Sequence, residues 1–227
     1  MNLWLCIASD YQQIHVALCN EDTIIAQQSV DKKNSNQQLL LTIDTLLKNN
    51  NSQLKDMMFI GVNLGPAPYT GLRIAIATVN GLHTATHIPL VGIDALHTFV
   101  GKHLPNEEKT TTVVLLNAFN FDIFYAIAPY GETIKSGYEN IDTFLNNIKE
   151  LPAQDRITFI GNGTELYAKN IKQILGNKAT ITDRSPYPLI DQLVQSGWQN
   201  WQENKIIELA LPLYLKQLAY KNSINVK

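Results

Sequence analysis

Apolar and polar positions follow one another along the first half of the chain as three short strands, a helix, a strand, a longer helix and a strand. Residues 3–7 form an apolar run that reads as a buried strand. After the turn Tyr11-Gln12-Gln13, Ile14, Val16 and Leu18 alternate with His15, Ala17 and Cys19, the period of a half-buried strand. Asn20-Glu21-Asp22 turns the chain again and residues 23–30 make a third strand, so the opening predicts an antiparallel meander. Ser35 or Asn36 is placed to cap the next element, where Leu39, Leu40, Ile43, Leu46 and Leu47 keep helical spacing until Lys48-Asn49-Asn50-Asn51 stops it. Residues 59–64 and 90–93 read as the fourth and fifth strands, and Asp94 as the cap of a short helix through Val100.

The rest of this half is organised around residues 65–85. Pro66 and Pro68 fix φ and bias Gly65 and Ala67 to extended geometry, so a helix starts only at Tyr69 or Thr70, with the Thr70 hydroxyl as its cap. Beyond that point Arg73 is the only full charge, and Leu72, Ile74, Ala75, Ile76, Ala77, Val79, Leu82 and Ala85 occupy nearly every face. A helix without a charged face is expected to be buried all round. Ala77, Gly81 and Ala85 also form a smooth stripe at four-residue steps, which admits another helix at close range. One face of this helix is therefore expected to be covered by a second protein.

The charged stretch Pro105-Asn106-Glu107-Glu108-Lys109 marks a boundary between lobes at 1–104 and 105–227. Beyond it the order recurs: strands at 112–116, 121–128 and 131–136, a helix at 140–148 and a strand at 157–160. Gly161-Asn162-Gly163 then turns into a helix at 165–175, with a strand at 179–182, a helix at 189–200 and a closing segment at 210–218. A β-β-β-α-β-α order appearing twice predicts an α/β protein with two mixed sheets and helices on their faces. That is the layout of the two-lobed actin-like, ribonuclease-H-like (ASKHA) superfamily.

Composition narrows the partners. Apolar residues make up 45% and charged residues only 17%, so much of the surface tolerates contact. A net charge of −2 leaves no basic footprint for direct nucleic-acid binding. The start, Met1-Asn2-Leu3-Trp4, lacks the pattern of a signal peptide, and the apolar run at 72–82 is about half of the ~20 residues that span a bilayer. Cys6 and Cys19, on neighbouring strands, read as reduced core thiols. A cytoplasmic protein with no membrane segment is expected.

Three chemistries suit this fold, and the residues can be set against each. A two-metal nuclease needs carboxylates on the first strand, which here ends Cys6-Ile7-Ala8-Ser9 with Asp10 alone in the turn. A two-lobed kinase or acyl-phosphate transferase needs a glycine-bearing phosphate loop, and Ala8-Ser9-Asp10-Tyr11-Gln12 has one hydroxyl and no glycine; Ser9 and Asp10 are at most its degenerate remnant. Gly161-Asn162-Gly163-Thr164 reads first as a tight strand-to-helix turn. A metal-dependent peptidase would rest on His83 and His87, four residues apart but with Thr84 where a zincin carries Glu and no third ligand. His87 reads better as a side chain meeting the last carbonyls of its helix. Asp122 and Glu165 read as solvated carboxylates, and Tyr187, Trp198 and Trp201 as a packing or lid cluster. Arg73 is expected to pair with a carboxylate or a cap. No catalytic residue, metal or cofactor is expected.

The chain resembles the TsaB (YeaZ) family, the degenerate actin-like subunits of the bacterial machinery that makes threonylcarbamoyladenosine in tRNA. Gly65-Pro66-Ala67-Pro68-Tyr69-Thr70-Gly71-Leu72-Arg73-Ile74 is similar to that family's G-P-G-S-F-T-G-x-R-[IV]. Pro89-Leu90-Val91-Gly92-Ile93, Asn117-Ala118, Gly161-Asn162-Gly163 and Pro212-Leu213-Tyr214-Leu215-Lys216 follow its later motifs in order. Three positions depart: the opening I-D-T-[AS] has Ala8 and Ser9 for its Asp and Thr, H-[ST] reads Ser35-Asn36, and D-A-[RK] reads Asn117-Ala118-Phe119. Each change removes a polar group that nucleotide-binding relatives use. The resemblance implies a non-catalytic scaffold that binds a TsaD-like transferase subunit and, through it, a TsaE-like ATPase. It places Tyr69, Thr70, Gly71, Arg73, Ile74, Ala77 and Gly81 at the contact, with a homodimer through the same face when TsaD is absent.

Overall fold

Strand β1 (Leu3–Ser9) runs through the centre of the first sheet and is buried on both faces, which is why it is apolar at nearly every position. It pairs antiparallel with β2 (Gln13–Asn20), which pairs antiparallel with the edge strand β3 (Thr23–Asp31). On its other side it pairs parallel with β4 (Ile60–Gly65), and β4 with β5 (Leu90–Asp94). The computed structural model describes residues 1–150, 156–182, 187–213 and 215. Helices α1 (Ser35–Asn49) and α2 (Tyr69–Thr86) cover one face of this sheet through Leu39, Ile43, Leu46, Leu72, Ala75 and Val79. The other face carries α3 (Ala95–Gly101), capped by the Asp94 carboxylate as its sequence suggests.

A second sheet repeats the plan. Strands β6 (Thr110–Asn117), β7 (Asp122–Pro129) and β8 (Lys135–Asn140) form an antiparallel meander, and β9 (Arg156–Ile160) and β10 (Ala179–Ile181) add in parallel on the far side of β6. Both sheets therefore follow one order, with the first strand of each meander in the middle. In the chain α4 (Ile141–Lys149) joins β8 to β9, and α5 (Asn162–Leu166) and α6 (Ala168–Leu175) join β9 to β10; α4 and α6 pack on the second sheet through Phe144, Leu145 and Ile171. The expected α/β, twice-repeated β-β-β-α-β-α layout is present. β8 starts later than its expected position because Gly131 supplies a left-handed turn residue that prolongs the hairpin. The single helix expected at 165–175 is two, broken at Tyr167.

The last described elements depart from the expected boundary. Chain order places helix α7 (Ile190–Gln202) and the two-residue strand β11 (Ile206–Ile207) within the lobe expected at 105–227. β11 instead pairs antiparallel with β5 at the edge of the first sheet, and α7 lies on the same face as α3. Trp4, on β1, stacks on Phe59 at 4.5 Å and Phe59 stacks on Trp201 of α7 at 4.7 Å, so aromatic packing draws the chain back. Trp198 and Trp201 thus belong to the core. Of the closing segment expected at 210–218, Ala210 to Leu213 carry no regular structure, and residue 214 and everything from 216 on lie outside the described residues.

Gly197 is the seat of this return: a Cβ there would come within 2.8 Å of Trp4 Cη2 and 2.9 Å of Ile93 Cδ1. Gly197→Leu is expected to cost about 2 kcal/mol or more by overpacking, read as a lower urea midpoint. An unchanged midpoint would show that α7 is not seated on Trp4.

Candidate functional site

Two regions of the first lobe concentrate the residues singled out by sequence. The first is the loop after β1, with Ser9 and Asp10, read from the sequence as at most the remnant of a phosphate loop. Asp10 Oδ1 accepts the backbone N–H of Gln12 at 2.6 Å and of Gln13 at 2.7 Å, and Oδ2 meets His15 Nε2 at 2.9 Å. Burial works to raise the Asp10 carboxyl, but the bonds from His15, Gln13 and Gln12 outweigh it and hold it at about 2. The loop amides that would cradle a phosphate are thus already satisfied by an internal anion. Ser9 is fully buried, so its hydroxyl does not face an open cleft.

The ceiling of the same loop is closed by tyrosines. Tyr11 donates its hydroxyl to the Asn117 carbonyl at 2.7 Å, across to the second lobe. Tyr187 donates to the Pro66 carbonyl at 2.7 Å and accepts from Asn63 Nδ2 at 2.9 Å, and its ring meets Tyr11 edge-on at 5.7 Å. Tyr187 therefore joins a polar knot between lobes as well as the apolar cluster against which the two tryptophans pack. Asn117 N–H donates to Asn162 Oδ1 at 2.8 Å. Gly161, at φ +96°, and Gly163 would both press a Cβ on the Leu115 carbonyl, so the Gly-x-Gly turn serves close packing against β6.

The second region is α2. The prolines launch it at Tyr69, but its N-cap is Pro68 and Thr70 makes no capping bond. Gly65 adopts φ +108° rather than the extended geometry expected before proline, a conformation that glycine tolerates. The helix is not buried all round. Gly71, Leu72, Ala75, Ile76 and Val79 face the sheet, while Tyr69, Thr70, Arg73, Ala77, Gly81 and Ala85 are exposed and Ile74 is half-buried. Gly71, placed by sequence among the contact residues, points inward: a Cβ there would meet Ser9 Oγ at 2.6 Å and Lys32 Cε at 2.9 Å. Gly81 is the opposite case, with nothing within 4 Å of its would-be Cβ. The Arg73 guanidinium lies 3.8 Å over the Tyr69 ring.

Sequence reasoning missed the neighbour of this face. Leu40 and Leu41 of α1 are 58% and 64% exposed, although Leu40 reads as core by its spacing. Leu40, Asp44 and Lys48 of α1 border an open groove of ≈ 680 Å³ that Leu82 of α2 closes on its far side. The pair Leu40-Leu41 beside buried Leu39 is a signal that sequence does hold, since a helix packed on one side cannot bury three consecutive positions.

The histidines do not form a metal site. His87 ends α2 in a left-handed conformation, φ 60°, with its backbone N–H on the His83 carbonyl, and it is the His83 ring that bonds the Ile88 carbonyl at 2.7 Å. Among the described residues no cluster of three His, Cys, Asp or Glu stands ready for a metal ion. Asp122, expected to be solvated, accepts from the Tyr138 hydroxyl. Cys6 and Cys19 are buried free thiols, and burial pushes Cys6 up to about 12. No helix among the described residues is long and apolar enough to cross a membrane.

The family model described as TsaD: tRNA N6-adenosine threonylcarbamoyltransferase matches residues 23–221. The chain belongs to this family. Within it the likeness is to TsaB (YeaZ). The Bacillus subtilis (strain 168) tRNA threonylcarbamoyladenosine biosynthesis protein TsaB is 25% identical over 196 residues, which span 81% of this chain and 82% of that protein. Its counterpart from Buchnera aphidicola subsp. Baizongia pistaciae (strain Bp) is 26% identical over 187 residues, 79% of this chain and 82% of the relative. The solved structure of YeaZ from Pseudomonas aeruginosa superposes with a TM-score of 0.69 at 19% identity, covering 95% of this chain and all of that one (100%). Lmo2764 from Listeria monocytogenes, assigned provisionally as an N-acetylmannosamine kinase, reaches 0.54 at 13% identity over 89% of this chain and 99% of its own. The fold is accordingly the actin-like, ribonuclease-H-like one. The TsaB resemblance read from the proline-glycine turn holds for the chain as a whole.

The Asp10 arrangement has a pH signature. Its carboxyl stands at about 2 in the folded chain against an ordinary value near ~4 unfolded, so its contribution to stability is complete above pH ~4 and is lost as pH falls toward 2. Asp10→Asn is expected to flatten the stability decline across that window, measured by urea titrations at fixed pH; an unchanged slope would mean the bonds to Asp10 are not formed.

Proposed function

We propose that this protein acts in tRNA threonylcarbamoyladenosine biosynthesis as an activator that is non-catalytic in the threonylcarbamoyl transfer itself, and that it binds a TsaD-like transferase subunit through the exposed face of α1 and α2. Relatives named for that pathway support the pathway itself. The observation that carries the mode of action is the α2 surface: a small-residue stripe of Ala77, Gly81 and Ala85 beside the exposed Leu40 and Leu41, with Arg73 and Tyr69 stacked at one end. Two helices presented side by side, smooth along one and apolar along the other, suit two helices of a partner in a four-helix contact. Covering that face on TsaD would favour one of its lobe positions, a shift of population rather than a chemical step. A TsaE-like ATPase joins through TsaD, and the same face supports a homodimer when TsaD is absent. The phosphate-loop amides capped by Asp10 argue against the other reading, an ATP-dependent small-molecule kinase or acyl-phosphate transferase.

Gly81→Leu and Gly71→Ala separate this reading from a purely internal role of α2. Gly81→Leu is expected to leave the isolated chain as stable or more so, since leucine gains roughly 0.5–1 kcal/mol over glycine in a helix. It should weaken association with the TsaD of the same organism by at least about tenfold, a cost of ~1.4 kcal/mol at the interface. Gly71→Ala should instead destabilise the isolated chain. Light-scattering mass of the mixture and thermal melts of each chain alone read both; undiminished heterodimer formation by Gly81→Leu would overturn the proposed face.

A further inference from the structure

The face of the first sheet opposite α1 and α2 holds a second constellation. Asp10 follows β1, His15 lies on β2 and Ser29 on β3. The register sets His15 directly across from both Ala8 and Ser29, so the three side chains share one face of adjacent strands. His15 Nδ1 stands 2.8 Å from Ser29 Oγ, and His15 Nε2 stands 2.9 Å from Asp10 Oδ2. A carboxylate only accepts, so in the neutral imidazole the proton sits on Nε2 toward Asp10, and Nδ1 keeps its lone pair for the Ser29 hydroxyl. Asp10 is held ionised by the two loop amides that donate to its other oxygen.

These three groups line one groove of ≈ 530 Å³, whose remaining wall includes Ile24 and Gln27 of β3 and Leu189 and Ile190 at the start of α7. Ser29 is exposed on an edge strand, so the hydroxyl is reachable from solvent. A hydroxyl bonded to an imidazole, itself bonded to an ionised carboxylate, beside an open and partly apolar groove, is the ordering that activates a serine for acyl transfer.

We propose that Ser29, His15 and Asp10 form a hydrolytic site for small carboxylic esters with short apolar acyl groups. Ser29 Oγ attacks the ester carbonyl carbon while its proton passes to His15 Nδ1. The C–O bond to the alcohol then breaks, and the departing oxygen takes that proton. Water attacks the acyl-serine, gives a proton to His15, and the carboxylic acid leaves as Ser29 regains its hydrogen. Ser29 and His15 are the catalytic residues. Asp10 is a positioning residue that holds the imidazole proton away from Ser29. The site lies across the sheet from α1 and α2, so it stands or falls independently of the partner-binding proposal.

The test uses the full chain with p-nitrophenyl acetate as substrate and a fluorophosphonate as covalent probe. The expected result is one phosphonyl group per chain, mapped to Ser29, with ester turnover lowered at least about 100-fold in Ser29→Ala and His15→Gln. Absence of label on the wild-type chain, or label and turnover persisting in Ser29→Ala, overturns the proposal. Ser29→Cys provides a second reading on a folded chain: its thiol should alkylate with iodoacetamide faster than the same thiol in a His15→Gln background, and equal rates count against the site. Asp10→Asn keeps an oxygen for the loop amides but turns an N–H toward His15. ¹⁵N shifts of the ring should then show the proton moved to Nδ1 together with at least about tenfold slower turnover; an unmoved proton and unaltered turnover remove Asp10 from the site.

Discussion

One buried carboxamide ties together the parts of the first lobe that matter for function. Asn63, at the end of β4 and fully buried, donates to the Ser9 carbonyl at 3.1 Å and to the Tyr187 hydroxyl at 2.9 Å, and accepts the Gly65 N–H at 2.8 Å. Those bonds join the loop after β1, the turn that launches α2 and the point where the chain returns to the first sheet. A buried amide must satisfy its donors and acceptor, each unmet group costing about 1–3 kcal/mol, so the three segments are held in one arrangement. From that arrangement follow the closed phosphate loop and the direction in which α2 leaves the sheet.

The loop after β1 is closed from within by the protein's own groups. The loop keeps its position but not its vacancy: Asp10 supplies the negative charge, and Tyr11 and Tyr187 fill the space between the lobes. Lys32, packed under Gly71 and Ser9, carries an amine with no hydrogen-bond partner among the described residues. Burial lowers its pKa and the nearby Asp10 charge opposes that. The amine thus shares its site with a counter-charge that is the protein's own.

The two faces of the first sheet divide the remaining roles. On one, α1 and α2 bury Leu39, Ile43, Leu72 and Val79 and turn Leu40, Ala77 and Gly81 outward. On the other, α3 and α7 cover the sheet through Trp4, Phe59 and Trp201, and a groove beside the start of α7 remains where His15 and Ser29 sit. A contact surface and a polar groove can therefore coexist in one lobe without sharing a residue.

Local patterning by itself determined most of the elements here. The alternation at 14–19, the Asp94 cap and the double proline before Tyr69 each act over a few residues, and each appears in the structure at or next to its expected place. The family, too, was legible in the proline-glycine turn, because a rigid turn needs particular residues in a row. Tertiary structure alone decided which side of α2 is bare, since its apolar residues and glycines look alike until the sheet selects Gly71 for the inside and leaves Gly81 outside. It also decided that α7 belongs to the first sheet, through a stack of Trp4, Phe59 and Trp201 joined across most of the chain, and that Asp10, His15 and Ser29 meet. Register across three strands made that meeting, and pairing of side chains so far apart leaves no trace in any single stretch of sequence.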